Sequence, residues 1–111
     1  MTLLEKIKIN QGGTLTKQFS ELITNIGYQV SIKDLLKVQV ENLTDNDFEN
    51  ILKGVAESLE NGHYIGLWID KGLLYIDESI HVTHYHTATA LGRMHNQKAI
   101  WDWHDMKSIY L

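Results

Sequence analysis

The sequence predicts an α+β fold in one domain spanning residues 1–111: a mainly antiparallel sheet with two helices on one face, in the order ββαββαβ. Three observations predict it. One strong helical periodicity occupies the middle of the chain, runs rich in β-branched and aromatic residues lie on either side, and glycines punctuate those runs at turn-like positions. A chain of 111 residues holds one core, and 43 % apolar with 22 % charged residues is the mixture of a folded chain rather than a disordered one.

Taken in order, Gly12 and Gly13 open a first strand over Thr14 to Ser20, and Gly27 to Ile32 reads as a second by its Tyr28, Val30 and Ile32. The two are expected to form a hairpin. The helix runs from Asp45 to Glu60, because Phe48, Ile51, Leu52, Val55, Ala56 and Leu59 recur at the spacings that build one apolar stripe. Thr44 is its N-cap, with Asp47 completing a short capping box and Leu43 stapling onto Phe48; Asn61 and Gly62 end it. His63 to Ile69 and Leu73 to Val82 form a second hairpin around a three-residue turn, Asp70, Lys71 and Gly72. A second helix covers Tyr85 to Met94, with Thr83 as N-cap, Ala88, Leu91 and Gly92 as its packed face, and Asn96 as a left-handed stop. Lys98 to His104 returns as a strand, and Ile109 to Leu111 extends the sheet.

Composition narrows the function. With no cysteine there is no disulfide framework, no thiolate zinc finger and no thiol nucleophile. The first ten residues mix lysines and a glutamate with apolar residues, unlike a signal peptide, and no segment is long and apolar enough for a membrane span. The net charge of −4 is unevenly spread: residues 1–40 carry +2, residues 41–80 carry −7 and residues 81–111 carry +1. A long basic stripe is missing, so direct nucleic-acid binding is not expected.

The elements Gly12-Gly13-x-Thr14, Gly27-Tyr28-x-Val30-Ser31, Gly62-His63-Tyr64-x-Gly66-x-Trp68, Tyr75-x-Asp77-x-Ser79 and Asn96-Gln97-x-Ala99-Ile100-x-Asp102 stand in an order and spacing that can be compared as a set. In them the chain resembles a group of small uncharacterised proteins encoded by phages, plasmids and Gram-positive bacteria. The resemblance implies a mobile-element origin and work in the cytoplasm of a bacterial host. The partner it implies is a host defence protein, most concretely a Cas nuclease whose nucleic-acid loading is blocked, as anti-CRISPR proteins do. The chain departs from the group around the second helix, where it carries His81, His84 and His86.

Two constellations are candidate sites. Glu41, Asp45, Asp47, Glu49, Glu57 and Glu60 give the central helix a negative surface suited to a basic groove on a partner; the plainer account is a solvated helix face. His81-x-x-His84-x-His86 lies where a strand meets a helix, so that two or three imidazoles converge within one turn as ligands for zinc. Its fourth ligand would come from His104, Asp102, His63 or water, and the plainer account is surface histidine. Trp101, Trp103 and Tyr110 are expected close to Trp68 and Tyr75, mostly buried, with any remainder forming an aromatic contact patch. No hydrolase elbow, phosphate loop or zinc-protease motif is present, so the chain is expected to bind rather than catalyse. A small zinc-binding domain is the alternative, followed by a metal-dependent or general-base hydrolase using His104 with Asp102.

Overall fold

A computed structural model describes all residues from Met1 to Leu111. It is an α+β fold with three helices and a six-stranded antiparallel sheet. The chain opens on a helix that the sequence had not announced, α1 (Leu3–Asn10). Its start is local chemistry: the Thr2 side chain accepts from the Glu5 backbone N–H at 3.2 Å, and Leu4 and Ile7, three apart, are buried on one side. Eight residues do not hold a helix alone, so packing against the sheet stabilises it.

Strand β1 (Gly12–Leu15) follows, and the strand expected to reach Ser20 stops at Leu15. The chain turns there, with the Phe19 N–H donating to the Thr16 carbonyl and Phe19 itself in the left-handed region. The expected hairpin with the next strand does not form. β2 (Tyr28–Gln39) is twice as long as anticipated, because two bulges, between Ser31 and Lys33 and between Asp34 and Leu36, break its alternation without ending it.

The central helix α2 (Asp45–Ser58) begins as expected. Thr44 Oγ1 accepts from the Asp47 N–H at 3.1 Å and Asp47 Oδ2 from the Thr44 N–H at 3.4 Å. It ends two residues short of Glu60, and Lys17, from the loop after β1, donates to the Leu59 carbonyl at 2.9 Å. That ammonium supplies the positive charge which Glu57 and Glu60 deny the negative helix end. β3 (Tyr64–Asp70) and β4 (Leu73–Val82) form the anticipated hairpin, but its turn has two residues rather than three. Lys71 (φ 50°) and Gly72 (φ 78°) are both left-handed, the pairing that matches the twist of the flanking strands. α3 (Tyr85–Met94), β5 (Ala99–Asp102) and β6 (Lys107–Tyr110) complete the chain; His84, not Thr83, is the α3 N-cap and makes no capping bond.

The sheet order is β1-β3-β4-β2-β5-β6, so β1 lies at one edge on β3, while β2 sits between β4 and β5. The larger hydrophobic cluster joins Leu4 and Ile7 of α1 and Phe48, Leu52 and Val55 of α2 to Leu15, Ile65, Leu67, Ile69, Leu74 and Ile76 of the sheet. Each such side chain contributes about 1.5–3 kcal/mol by leaving water. A smaller cluster gathers Val30, Ala88 of α3 and Ile100, with Ile80 and Val82 packed against it. Thus alternate residues of β4 feed both clusters, and the residues between them, Tyr75, Asp77, Ser79 and His81, point to the other side of the strand.

Candidate functional site

All six acids expected to meet a partner are exposed, but they are not one free surface. Asp47 is spent on the α2 capping box, Glu49 pairs with Lys53 at 3.5 Å, and Glu60 Oε2 lies 3.6 Å from His63 Nε2. Glu41, Asp45 and Glu57 make no ion pair.

The three expected zinc ligands do not form a cluster. His81, on β4, has its Nε2 2.7 Å from the Ile26 carbonyl, His84 caps α3 in solvent, and His86 is exposed with its ring edge-on to Tyr85. The one trio of His, Asp or Glu whose ligand atoms all lie within 4.8 Å of one another is Glu60, His63 and Glu78. Glu78 is 5 % exposed, at a position of β4 between Ile76 and Ile80 that the alternation assigns to apolar side chains. Its Oε2 lies 2.6 Å from His63 Nδ1 and accepts from the Glu60 backbone N–H at 3.3 Å. A buried carboxylate needs such partners, and the knot ties the end of α2 to the start of β3. With Nδ1 committed, His63 Nε2 and the Glu60 carboxylate are the atoms that face outward, and a divalent metal would meet them first.

His104 and Asp102 do not form an acid–base pair. Asp102 Oδ1 accepts from the His104 and Asp105 backbone N–H groups at 2.9 and 3.4 Å, capping the turn after β5, and the exposed His104 ring turns to Asp105 at 3.0 Å.

The side of β3 and β4 turned away from α1 and α2 carries a different set. Cross-strand register places Trp68 beside Tyr75, Gly66 beside Asp77 and Tyr64 beside Ser79; on the far side of β4, Lys37 lies beside Tyr75 and Asp34 beside Asp77. Trp68 is 59 % exposed, Tyr75 is also exposed, and their rings lie 6.5 Å apart. Lys37 Nζ sits 5.9 Å over the Tyr75 ring. Burial was expected for these rings and holds only just after β5: Trp103 is buried, with its Nε1–H donating to Gln29 Oε1 at 3.1 Å, and packs edge-on to Trp101, whereas Tyr110 is exposed. Trp101 and Trp103 are separated from Trp68 by two strands, so the aromatics form two groups rather than one.

Between the two groups lies a polar band. Gln29 Nε2 donates to Ser79 Oγ at 3.0 Å; Trp101 Nε1 is enclosed with no hydrogen-bond partner, and Ser31 Oγ and Asp77 Oδ1, also enclosed, have only the approach of that hydroxyl to that carboxylate. Asp77 leans onto Gly66, where a Cβ would overlap its carboxylate, so glycine is what leaves room for the acid. Burial foremost, then the facing charge of Asp34, push the Asp77 carboxyl up from 3.8 to about 7, and the nearby Ser31 hydroxyl offsets part of that rise. An open groove of about 310 Å³ runs along Asp34, Leu36, Lys37, Tyr75 and Asp77 at the second β2 bulge.

Asp34, Asp77 and Glu78 are not among the residues that the sequence singles out as a site, although Asp77 and Glu78 each left a trace. Glu78 is a charge on an otherwise apolar alternation, and Tyr75-x-Asp77 with Gly66-x-Trp68 places an acid and two aromatics on the opposite parity. Asp34 could not be placed, because the bulges hide the register of β2. Set against known proteins, the chain matches no family model, no curated protein and no solved structure, and its site rests on its own geometry.

Proposed function

We propose that this chain acts stoichiometrically, by occupying a partner protein with the Trp68–Tyr75 side of its sheet rather than with the acidic helix. The observation that carries this is the exposed Trp68 indole beside Tyr75 on a sheet surface that neither hydrophobic cluster uses. Large aromatics left in water on a regular surface are the side chains from which interface hot spots are built. The groove beside them is open to solvent rather than enclosed. The resemblance to mobile-element proteins directs the choice of partner to a host defence protein, with a Cas nuclease kept from loading nucleic acid as its most concrete form.

The test is capture of purified Cas nucleases, with and without preloaded guide RNA, by the chain and by its Trp68→Ala and Glu57→Lys/Glu60→Lys variants. Capture of the unloaded nuclease, lost with Trp68→Ala and kept by the double variant, is the expected result. Capture that survives Trp68→Ala and is lost in the double variant would return the contact to the acidic helix, and no capture of any nuclease would remove the Cas assignment.

A metal-binding role is the alternative, and one observation favours it at a new place: the Glu60–His63–Glu78 trio. It requires stoichiometric zinc on untagged protein, lost with His63→Ala and kept by His84→Ala. Zinc lost instead with His84→Ala would put the ligands back on the expected histidines.

A further inference from the structure

We propose that the free edge of β2, from Ile32 to Gln39, is an interface for a second copy of this chain, paired antiparallel across a two-fold axis between Leu35 and Leu36. The proposal goes beyond the reading of the Trp68–Tyr75 side and does not depend on it.

β2 is the longest strand of the sheet, yet it is paired on both sides only at its start. β4 runs along one side from Tyr28 to Gln39, whereas β5 meets the other side only at Tyr28 and Gln29. Continued in register, β5 would reach Ser31 with Ala99, so the open stretch is Ile32 to Gln39, and its midpoint falls between Leu35 and Leu36. No backbone hydrogen bond from a turn or loop reaches that stretch. Lys33, Asp34, Leu36, Lys37 and Gln39 are all exposed along it. Such an edge presents unpaired N–H and C=O groups in a row, which a further strand completes.

The charge pattern selects the occupant. About the axis between Leu35 and Leu36, Asp34 falls opposite Lys37 of the second copy, twice by symmetry, and Leu35 opposite Leu36, which the pairing takes out of water. Neither Asp34 nor Lys37 makes an ion pair within the chain. Lys37 Nζ lies 5.9 Å from the Tyr75 ring centre, at the outer limit of that attraction, so it can turn to a carboxylate at little cost.

The match depends on the second β2 bulge. Residues three apart on a regular strand point to opposite faces, but the shift between Asp34 and Leu36 sets Asp34 beside Asp77 and Lys37 beside Tyr75, so the acid and the lysine share a face. Moving the axis onto Leu35 would set Lys33 against Lys37 and leave Asp34 without a partner. A strand of unrelated sequence would gain the backbone bonds but not the doubled charge match. The axis stands perpendicular to the sheet, so two six-stranded sheets join edge to edge with both Trp68–Tyr75 surfaces on the same side. One short strand edge buries less than the roughly 800 Å² per partner of a standard interface, and the dimer is therefore weak and concentration-dependent.

The test is sedimentation of the full chain over a wide range of concentration, with folding of each variant checked by its far-ultraviolet spectrum. The chain should associate to a dimer and no further, because the pairing uses up the edge. Asp34→Lys and Lys37→Asp should each weaken the dimer about tenfold, since each sets like charges opposite one another twice. Mixing the two variants should restore association, and so should the double variant Asp34→Lys/Lys37→Asp, because both arrangements return opposite charges to every pair. Trp68→Ala should dimerise like the unaltered chain, whatever its effect on partner capture, which separates this proposal from the reading of the sheet surface. A monomer at every concentration overturns it, as does a dimer indifferent to the single charge reversals or not rescued by mixing them. A monomer whose β2 amides become protected only in the captured complex would give the edge to a strand of the partner and overturn it equally.

Discussion

Asp77 and Glu78 are neighbours on one strand, and they show how differently two acids can be treated by the same fold. Glu78 points toward the helices and is the more buried, yet its Oε2 meets His63 Nδ1 and the Glu60 N–H. Asp77 points the other way, faces another acid, and has only the approach of the Ser31 hydroxyl to set against the burial of its carboxylate. Burial therefore does not distinguish a structural acid from one free for other work; satisfaction does. A fully bonded carboxylate holds elements together, whereas one left short of partners is a cost that the rest of the fold carries, and such costs gather where something else is meant to bind.

The comparison can be broken most forcefully at Glu78. Replacing Glu78 with Ala strands His63 and the Glu60 N–H and opens a hole beside the core, and should cost on the order of 3 kcal/mol in urea unfolding. A loss under about 1 kcal/mol would mean that the knot is ornamental. Next comes Gly66→Ala, whose new methyl meets the Asp77 carboxylate and should cost roughly 2 kcal/mol. Adding Asp77→Gly should recover most of that, and strict additivity of the pair would deny the contact.

Asp77→Asn comes third, and its sign is opposite. Because the folded carboxyl is raised from 3.8 to about 7, the stability linked to its protonation is complete below 3.8 and is lost as pH rises through about 7. The Asp77→Asn variant lacks this slope, so above pH 7 it should be the more stable protein, by about 1 kcal/mol after allowance for partial exposure. Parallel stability curves for the two proteins across that window would contradict the assignment. The smallest effect on folding belongs to Trp68→Ala, under about 0.5 kcal/mol, since the indole is already largely in water. Its loss should nevertheless weaken partner binding about tenfold or more. Melting of that variant together with its binding would show the ring to be structural.

What could be read in the residues divides along local and distant lines. The start of α2 was legible because Thr44 and Asp47 are three apart and its stripe has the helical period; the β3–β4 hairpin was legible because its turn signal is adjacent in sequence. α1 left a cap pattern, Thr2 with Glu5, but its eight residues form a helix only through Leu4 and Ile7 packing on distant strands. The pairing of β2 with β4 joins segments some forty residues apart and passes through two bulges, so no local pattern encodes it. The same distance hid Asp34 from Asp77. His81, His84 and His86 were close enough in sequence to converge, but His81 lies on the strand with its Nε2 turned to the Ile26 carbonyl while His84 already caps the next helix.

On the proposed function, the Trp68–Tyr75 side of the sheet is where this protein meets its partner. Amide hydrogen exchange on the captured complex tests it directly. Protection gained on β3 and β4 across Gly66, Trp68, Tyr75 and Asp77, with α2 from Asp45 to Ser58 unchanged, is the expected outcome. Protection confined to α2, with β3 and β4 exchanging as in the free chain, would contradict it.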